Sequence, residues 1–131
     1  MLEPSLILKV LNDYMKKTDR SSFTKIKQIL QVIYNKPGLF LTYLNYSSYY
    51  NFKKDEALFK RQKCILFNQF EKAASWRDIE RKYRGKLEML NDPKLCVKSK
   101  FFIEDTYLIF CFHRENDYNK QIIELIEYLH S

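Results

Sequence analysis

The chain has 131 residues, three cysteines, two glycines and a net charge of +7. That length can bury a core without staples, and so few glycines exclude phosphate-cradling loops and disfavour sandwiches and barrels. The cysteines (Cys64, Cys96, Cys111) are odd in number and scattered, which excludes a disulfide framework and fits a reducing compartment.

Hydrophobic residues make up 46% of the chain, which argues against intrinsic disorder. No N-terminal stretch has the layout of a signal peptide, and no apolar run is long enough to span a membrane. We therefore expect a single-domain intracellular protein, cytoplasmic or nuclear, with no membrane span.

Pro4 suits the first turn of a helix, and Leu6, Ile7, Val10, Leu11, Tyr14 and Met15 recur at helical spacing after it. Ser21 or Ser22 is the expected N-cap of a second helix, with Phe23, Ile26, Ile29, Leu30 and Ile33 as its stripe. Pro37-Gly38 ends it, giving an αα-hairpin. Residues 39–52 are ambiguous. Phe40, Tyr43 and Leu44 fit a short helix, whereas Leu39, Leu41 and Tyr43 fit a strand. Pro37 suits a helix start, so a helix of about ten residues is the expectation here.

Asp55 is the expected cap of a helix running to Ala73, with Phe59, Leu66, Phe70 and Ala73 lining its apolar face. Ser75 to Asp78 reads as a capping box opening another helix, which Gly85 would end. Leu87 and Met89 alternate with charged residues as in a short strand. Asn91-Asp92-Pro93 reads as a turn. Leu95, Val97 and Phe101 alternate with Cys96, Lys98 and Lys100, as in a strand with one wet face. Glu104-Asp105 turns the chain into Tyr107–Phe112, whose unbroken apolar run fits a central strand buried on both faces. Asn116 or Asp117 caps a last helix with the stripe Tyr118, Ile122, Leu125, Ile126 and Leu129.

The charge is uneven. Residues 1–52 hold seven Lys/Arg against three Asp/Glu, residues 53–86 eleven against five, and residues 87–131 five against eight. Lys53, Lys54, Lys60, Arg61, Lys63, Arg77, Arg81, Lys82, Arg84 and Lys86 carry the basic excess and form the candidate polyanion site. Arg77, Arg81 and Arg84 fall at i, i+4 and i+7, a spacing that lines one helix face with cations, as phosphate contact requires. Two helices meeting near Ala73 to Ser75 also suggest a helix-turn-helix with residues 76–84 as recognition helix. The aromatic residues of 39–52, with Phe59 nearby, read as core and half-buried filler; their other reading is a contact surface for a protein partner or stacked bases.

Chemistry for catalysis is sparse. A two-residue hairpin loop at Glu104-Asp105 would set Cys96 opposite His113 and beside Cys111, still one ligand short of a closed zinc site. Acidic pairs such as Asp55-Glu56 and Glu104-Asp105 read as caps and turns. No nucleotide-binding, zinc-protease or nucleophile-elbow motif occurs. We expect no catalytic residues, no metal and no cofactor.

Over residues 75–130 the chain resembles the small subunit of the signal recognition particle Alu domain. The likeness lies in Trp76 to Tyr83, Leu95-Cys96-Val97-Lys98, Glu104-Asp105, the strand Tyr107–Phe112 and Ile122-Ile123-Glu124. The resemblance implies an αβββα fold that binds RNA as a heterodimer.

These readings combine into an α+β protein of about four helices, with helix near half of the residues. The N-terminal two-thirds is mostly helical (1–85). Residues 86–131 form a two- or three-stranded antiparallel sheet closed by a last helix. The expected function is that of a small basic, non-enzymatic binding or assembly subunit. It would contact nucleic acid or an acidic partner through helices 53–86. The alternative is a purely structural protein–protein interaction subunit, and an enzyme whose site no motif reveals is a third class.

Overall fold

The computed structural model describes residues 3–131. It is an α+β protein with five helices and a three-stranded mixed sheet among those residues, 64% helical. Two compact units divide it: one runs to Leu44 and resumes at Lys98–Ser131, and the other is Asn45–Val97.

The first unit begins with α1 (Pro4–Met15) and α2 (Arg20–Tyr34). Their stripes bury Ile7, Leu11 and Met15 from α1 and Ile26, Leu30 and Ile33 from α2, whereas Leu6, at the start of the α1 stripe, is exposed. Cap selection differs from the expectation. Asp19, not Ser21 or Ser22, starts α2, and its side chain accepts the Ser22 N–H at 2.7 Å. Ser22 is buried instead.

Next comes β1 (Phe40–Asn45), which corrects the helix expected across 39–52. Strand alternation wins because Leu41 is buried in the core and the Phe40 N–H donates to the Thr106 carbonyl at 2.7 Å. The sheet is completed by β2 (Lys100–Glu104) and β3 (Tyr107–Phe112) in the order β1-β3-β2. β2 pairs antiparallel with β3, Phe101 opposite Phe110. β1 supplies the strand that makes the sheet mixed rather than purely antiparallel. Leu108, Phe110 and Phe112 of β3 join the core from one face, while Ile109 and Cys111 are buried on the other. The chain closes with α5 (Asp117–His130), whose Asn116 cap accepts the Asn119 N–H.

The hairpin register departs from the expectation. Glu104 pairs with Tyr107, so the two-residue loop is Asp105-Thr106, with Asp105 at φ 54°. Lys100 therefore lies opposite Cys111, while Cys96 is exposed in the irregular chain before β2. Residues 95–99 do not form a strand, because they lack a paired neighbour. The αβββα order across 75–130 is accordingly absent: the third strand of the sheet comes from residues 40–45.

Side chains from α1 and α5 close both edges of this sheet. Asn12 bonds both backbone groups of Phe101, and His130 Nε2 lies 2.6 Å from the Leu41 carbonyl oxygen. A carbonyl only accepts, so that nitrogen carries the proton. Because Phe40 directs its N–H to β3, the next residue directs its carbonyl outward, to the free edge. Fully enclosed side chains such as Leu11, Ile26, Leu108, Phe110 and Ile126 hold the unit together. Each contributes about 1.5–3 kcal/mol by burial.

The second unit is a helical hairpin of α3 (Tyr46–Leu66) and α4 (Phe70–Leu90). Several expectations are corrected here. Asn45, not Asp55, caps α3, accepting the Ser47 N–H at 2.8 Å. Asp55, Ser75 and Gly85 all lie inside helices, and Leu87 and Met89 are helical too. Ser75 directs its hydroxyl back to the Glu71 carbonyl instead of capping. The break falls at 67–69. There Asn68 takes φ 59°, its N–H donates to the Ile65 carbonyl, and the Gln69 N–H donates to the Cys64 carbonyl at 2.7 Å. That bond pair is the Schellman arrangement, and asparagine tolerates its left-handed residue. With the turn at 67–69, residues 73–75 cannot serve as the turn of a helix-turn-helix.

Candidate functional site

The buried seam of the α3–α4 hairpin is thin: Tyr46, Ala57, Cys64, Ala73 and Glu80. Alanines contribute little burial energy, about 0.8 kcal/mol per methyl-sized group. Polar and aromatic contacts do much of the joining. The Glu80 carboxylate is buried between two arginines, Arg84 one turn along α4 at 2.5 Å and Arg61 across on α3 at 2.8 Å. Lys60 lies over the Trp76 ring at 4.6 Å. Lys86 lies over Tyr50 and Tyr83, whose centroids are 5.9 Å apart.

All ten basic residues singled out from the sequence lie on this hairpin: Lys53, Lys54, Lys60, Arg61 and Lys63 on α3, and Arg77, Arg81, Lys82, Arg84 and Lys86 on α4. They are not equivalent. Arg61 and Arg84 are engaged with Glu80. Lys53 lies over Tyr49 and Lys82 over Tyr83. Lys54 bonds Asn51 and lies near Asp55, and Arg77 lies 3.8 Å from Asp78. Lys63 and Arg81 are exposed, with no ion pair among the described residues. So the i, i+4, i+7 arginine stripe is divided: Arg84 is tied to Glu80 within α4, and Arg81 faces water. Lys72, which the sequence reading did not select, is exposed and unpaired in the same sense. The unit as a whole holds twelve Lys/Arg against seven Asp/Glu, a net +5 over Asn45–Val97.

The apolar face expected for the helix after Asp55 is corrected: of Phe59, Leu66, Phe70 and Ala73, only Ala73 is buried. Phe52, Phe59 and Leu66 of α3 are large, apolar and exposed, as are Phe67 and Phe70 at the turn. The aromatic run at 39–52 is not comparable. It is split between β1 and α3, Tyr46 is buried, and Tyr49 and Tyr50 are half-buried in ring contacts with one another.

The three cysteines are free thiols, Cys64 and Cys111 buried and Cys96 exposed. Burial pushes the Cys111 thiol up to about 12, so it is protonated and inert at neutral pH. No three Cys, His, Asp or Glu side chains converge among the described residues. A surface groove between α2 and α5 is lined by Gln31, Tyr34, Asn35, Tyr128, Leu129 and Ser131, away from His113. No helix among the described residues is long and apolar enough to cross a membrane. No protein-family model matches the chain, and no curated protein or solved structure matches it.

Proposed function

We propose that the protein is a non-enzymatic binding subunit whose α3–α4 hairpin engages a polyanion, with nucleic acid as the preferred class. The observation that carries this reading is the +5 charge of Asn45–Val97, displayed on a two-helix unit in which cations alternate with aromatic rings. Aligned cations neutralise phosphates, and neighbouring rings offer stacking surfaces for bases. The division among the cations also assigns roles. Lys72, Arg77, Arg81 and Lys82 are the contact set, while Arg61, paired with Glu80 across the two helices, maintains the hairpin.

The test is fluorescence anisotropy with labelled single-stranded RNA and DNA over a salt series. Affinity should fall steeply with salt, and Arg77→Ala/Arg81→Ala/Lys82→Ala should weaken binding to every sequence alike. Failure to bind at low salt, or an unchanged triple variant, would remove the reading. Assembly with a protein is the second reading, favoured by the exposed apolar residues of α3.

A further inference from the structure

The outer face of α3 carries three large apolar side chains at an exact seven-residue interval: Phe52, Phe59 and Leu66, exposed by 60%, 66% and 77%. Seven residues are close to two helical turns, so the three lie in one row about 21 Å long. The buried seam residues Ala57 and Cys64 fall on the other side of the helix. An apolar row of this length facing water is the signature of a surface that another helix covers.

The flanks of the row indicate what the covering helix is. With Phe52, Phe59 and Leu66 as the core row, Glu56 and Lys63 both lie on one flank, and Asp55 and Gln62 lie on the other. A second α3 laid antiparallel across the first, with the two-fold axis at Phe59, keeps each flank against its own counterpart. Phe52 then meets Leu66 of the other copy, and the two Phe59 rings meet each other. Glu56 meets Lys63, and Asp55 meets Gln62. Every layer is apolar against apolar, opposite charge against opposite charge, or acceptor against donor. Lys63 has no ion pair within its own chain among the described residues, and the Glu56–Lys60 pair is half-exposed and long at 3.8 Å, so Glu56 can turn to a second cation. A parallel two-fold arrangement would instead set the two flanks against each other, Glu56 facing Asp55 and Lys63 facing Gln62, acid against acid with the lysine left without a charge partner.

We infer that the outer face of α3 is a self-complementary interface through which two copies of this chain associate antiparallel about Phe59. This goes beyond polyanion binding, because Phe52, Phe59 and Leu66 take no part in the cationic contact set. The isologous form closes on itself, so it yields a dimer and not a filament.

The experiment uses the full chain in sedimentation velocity over a concentration series, with circular dichroism confirming the helical content of each variant. The wild type should show a species of about twice the chain mass of 16.0 kDa. Phe59→Asp should remain folded and sediment as a monomer. Lys63→Glu, which sets two carboxylates against each other, should weaken the dimer at least tenfold, and Glu56→Lys/Lys63→Glu should restore it. Phe59→Cys, in a Cys96→Ser background, should form an interchain disulfide on mild oxidation, whereas Phe52→Cys alone should not. A monomer at every concentration, a dimer indifferent to Phe59→Asp, or a double charge swap that fails to rescue would each overturn the inference. RNA binding by a monomeric wild type would leave the polyanion reading standing and remove only this one.

Discussion

Asn12 of α1 grips the outer edge of β2 at a single residue: its Nδ2 donates to the Phe101 carbonyl at 3.0 Å, and its Oδ1 accepts the Phe101 N–H at 2.9 Å. One side-chain amide thus acts as an extra rung of the ladder on a strand that has no further neighbour. Edge strands expose unpaired backbone groups that recruit other chains, and this bond pair removes two of them. Asn12→Ala should cost about 1–3 kcal/mol, because both Phe101 groups lose their partner in a half-buried place. Asn12→Asp should be no better at neutral pH, since a carboxylate cannot donate to the carbonyl. Urea melts of both variants check this, and a wild-type midpoint for Asn12→Ala would refute it.

Glu80 should be the most sensitive charged position of the hairpin. Replacing it by Gln leaves Arg61 and Arg84 facing a neutral group. Breaking a fully buried pair costs about 3–5 kcal/mol. Both arginines here are partly solvated, so the expected loss is smaller, about 1–3 kcal/mol. Loss of helical signal at a lower temperature than wild type is the readout.

Tyr118 carries a buried hydroxyl with no hydrogen-bond partner among the described residues, and burial raises its ionisation above the usual tyrosine range. Its ring packs edge-to-face on Phe23 at 6.2 Å. Tyr118→Phe keeps the ring contact and deletes the unpaired group, so stability should stay equal or rise. A fall in melting temperature would show that the hydroxyl is satisfied in solution.

Asp19 ties the start of α2 to pH. Hydrogen bonding from Ser22 holds its carboxyl below the usual aspartate range. A folded value below the unfolded one, about 3.9, means that the cap's contribution is complete above that pH and is lost as the pH falls through the lower folded value. Asp19→Asn caps through an amide oxygen that does not titrate. Melts of the two proteins at pH 7 and pH 3 should therefore show the variant gaining on wild type in acid.

Thr18 holds φ 45° in the turn between α1 and α2, a conformation that its branched side chain opposes. Thr18→Gly should relieve about 1–2 kcal/mol of backbone strain and give back about 0.4–1 kcal/mol through the freer unfolded chain. Thermal melting should show a small net gain. Thr18→Asn should also gain, without the entropic loss.

The parts of this fold that were legible in the sequence are those where one periodicity dominates. α1, α2, β3 and α5 each bury most of the side chains that their spacing selects, with Leu6 and Tyr107 the exposed exceptions. β1 was not legible, because Phe40 to Leu44 fit both periods and only pairing with β3 decides between them. The α3–α4 boundary failed for a different reason. Asp55 and Ser75 are good caps locally, but packing across the hairpin holds both inside helices, and the stop comes from the left-handed Asn68. An asparagine at a helix end was the available signal. At the candidate site, the Glu80–Arg84 spacing was visible as an i, i+4 pair, whereas Arg61 joins it only through the tertiary fold. The Phe52, Phe59 and Leu66 row was equally present in the sequence. Phe59 and Leu66 share a face of the helix expected from Asp55, but that start leaves Phe52 outside it, so the full row is not apparent.

The position of Asn45–Val97 in the chain has a kinetic consequence. α3 and α4 are joined by three residues, so their contacts are local and form early. β1 must wait for β3 across about sixty residues, and that pairing sets the contact order of the sheet. Closure entropy grows slowly with loop length, about 0.6 kcal/mol for each doubling. A helical hairpin longer or shorter by a few turns should therefore leave the folding rate of the sheet almost unchanged, making this insertion a place where the chain can grow without slowing its own assembly.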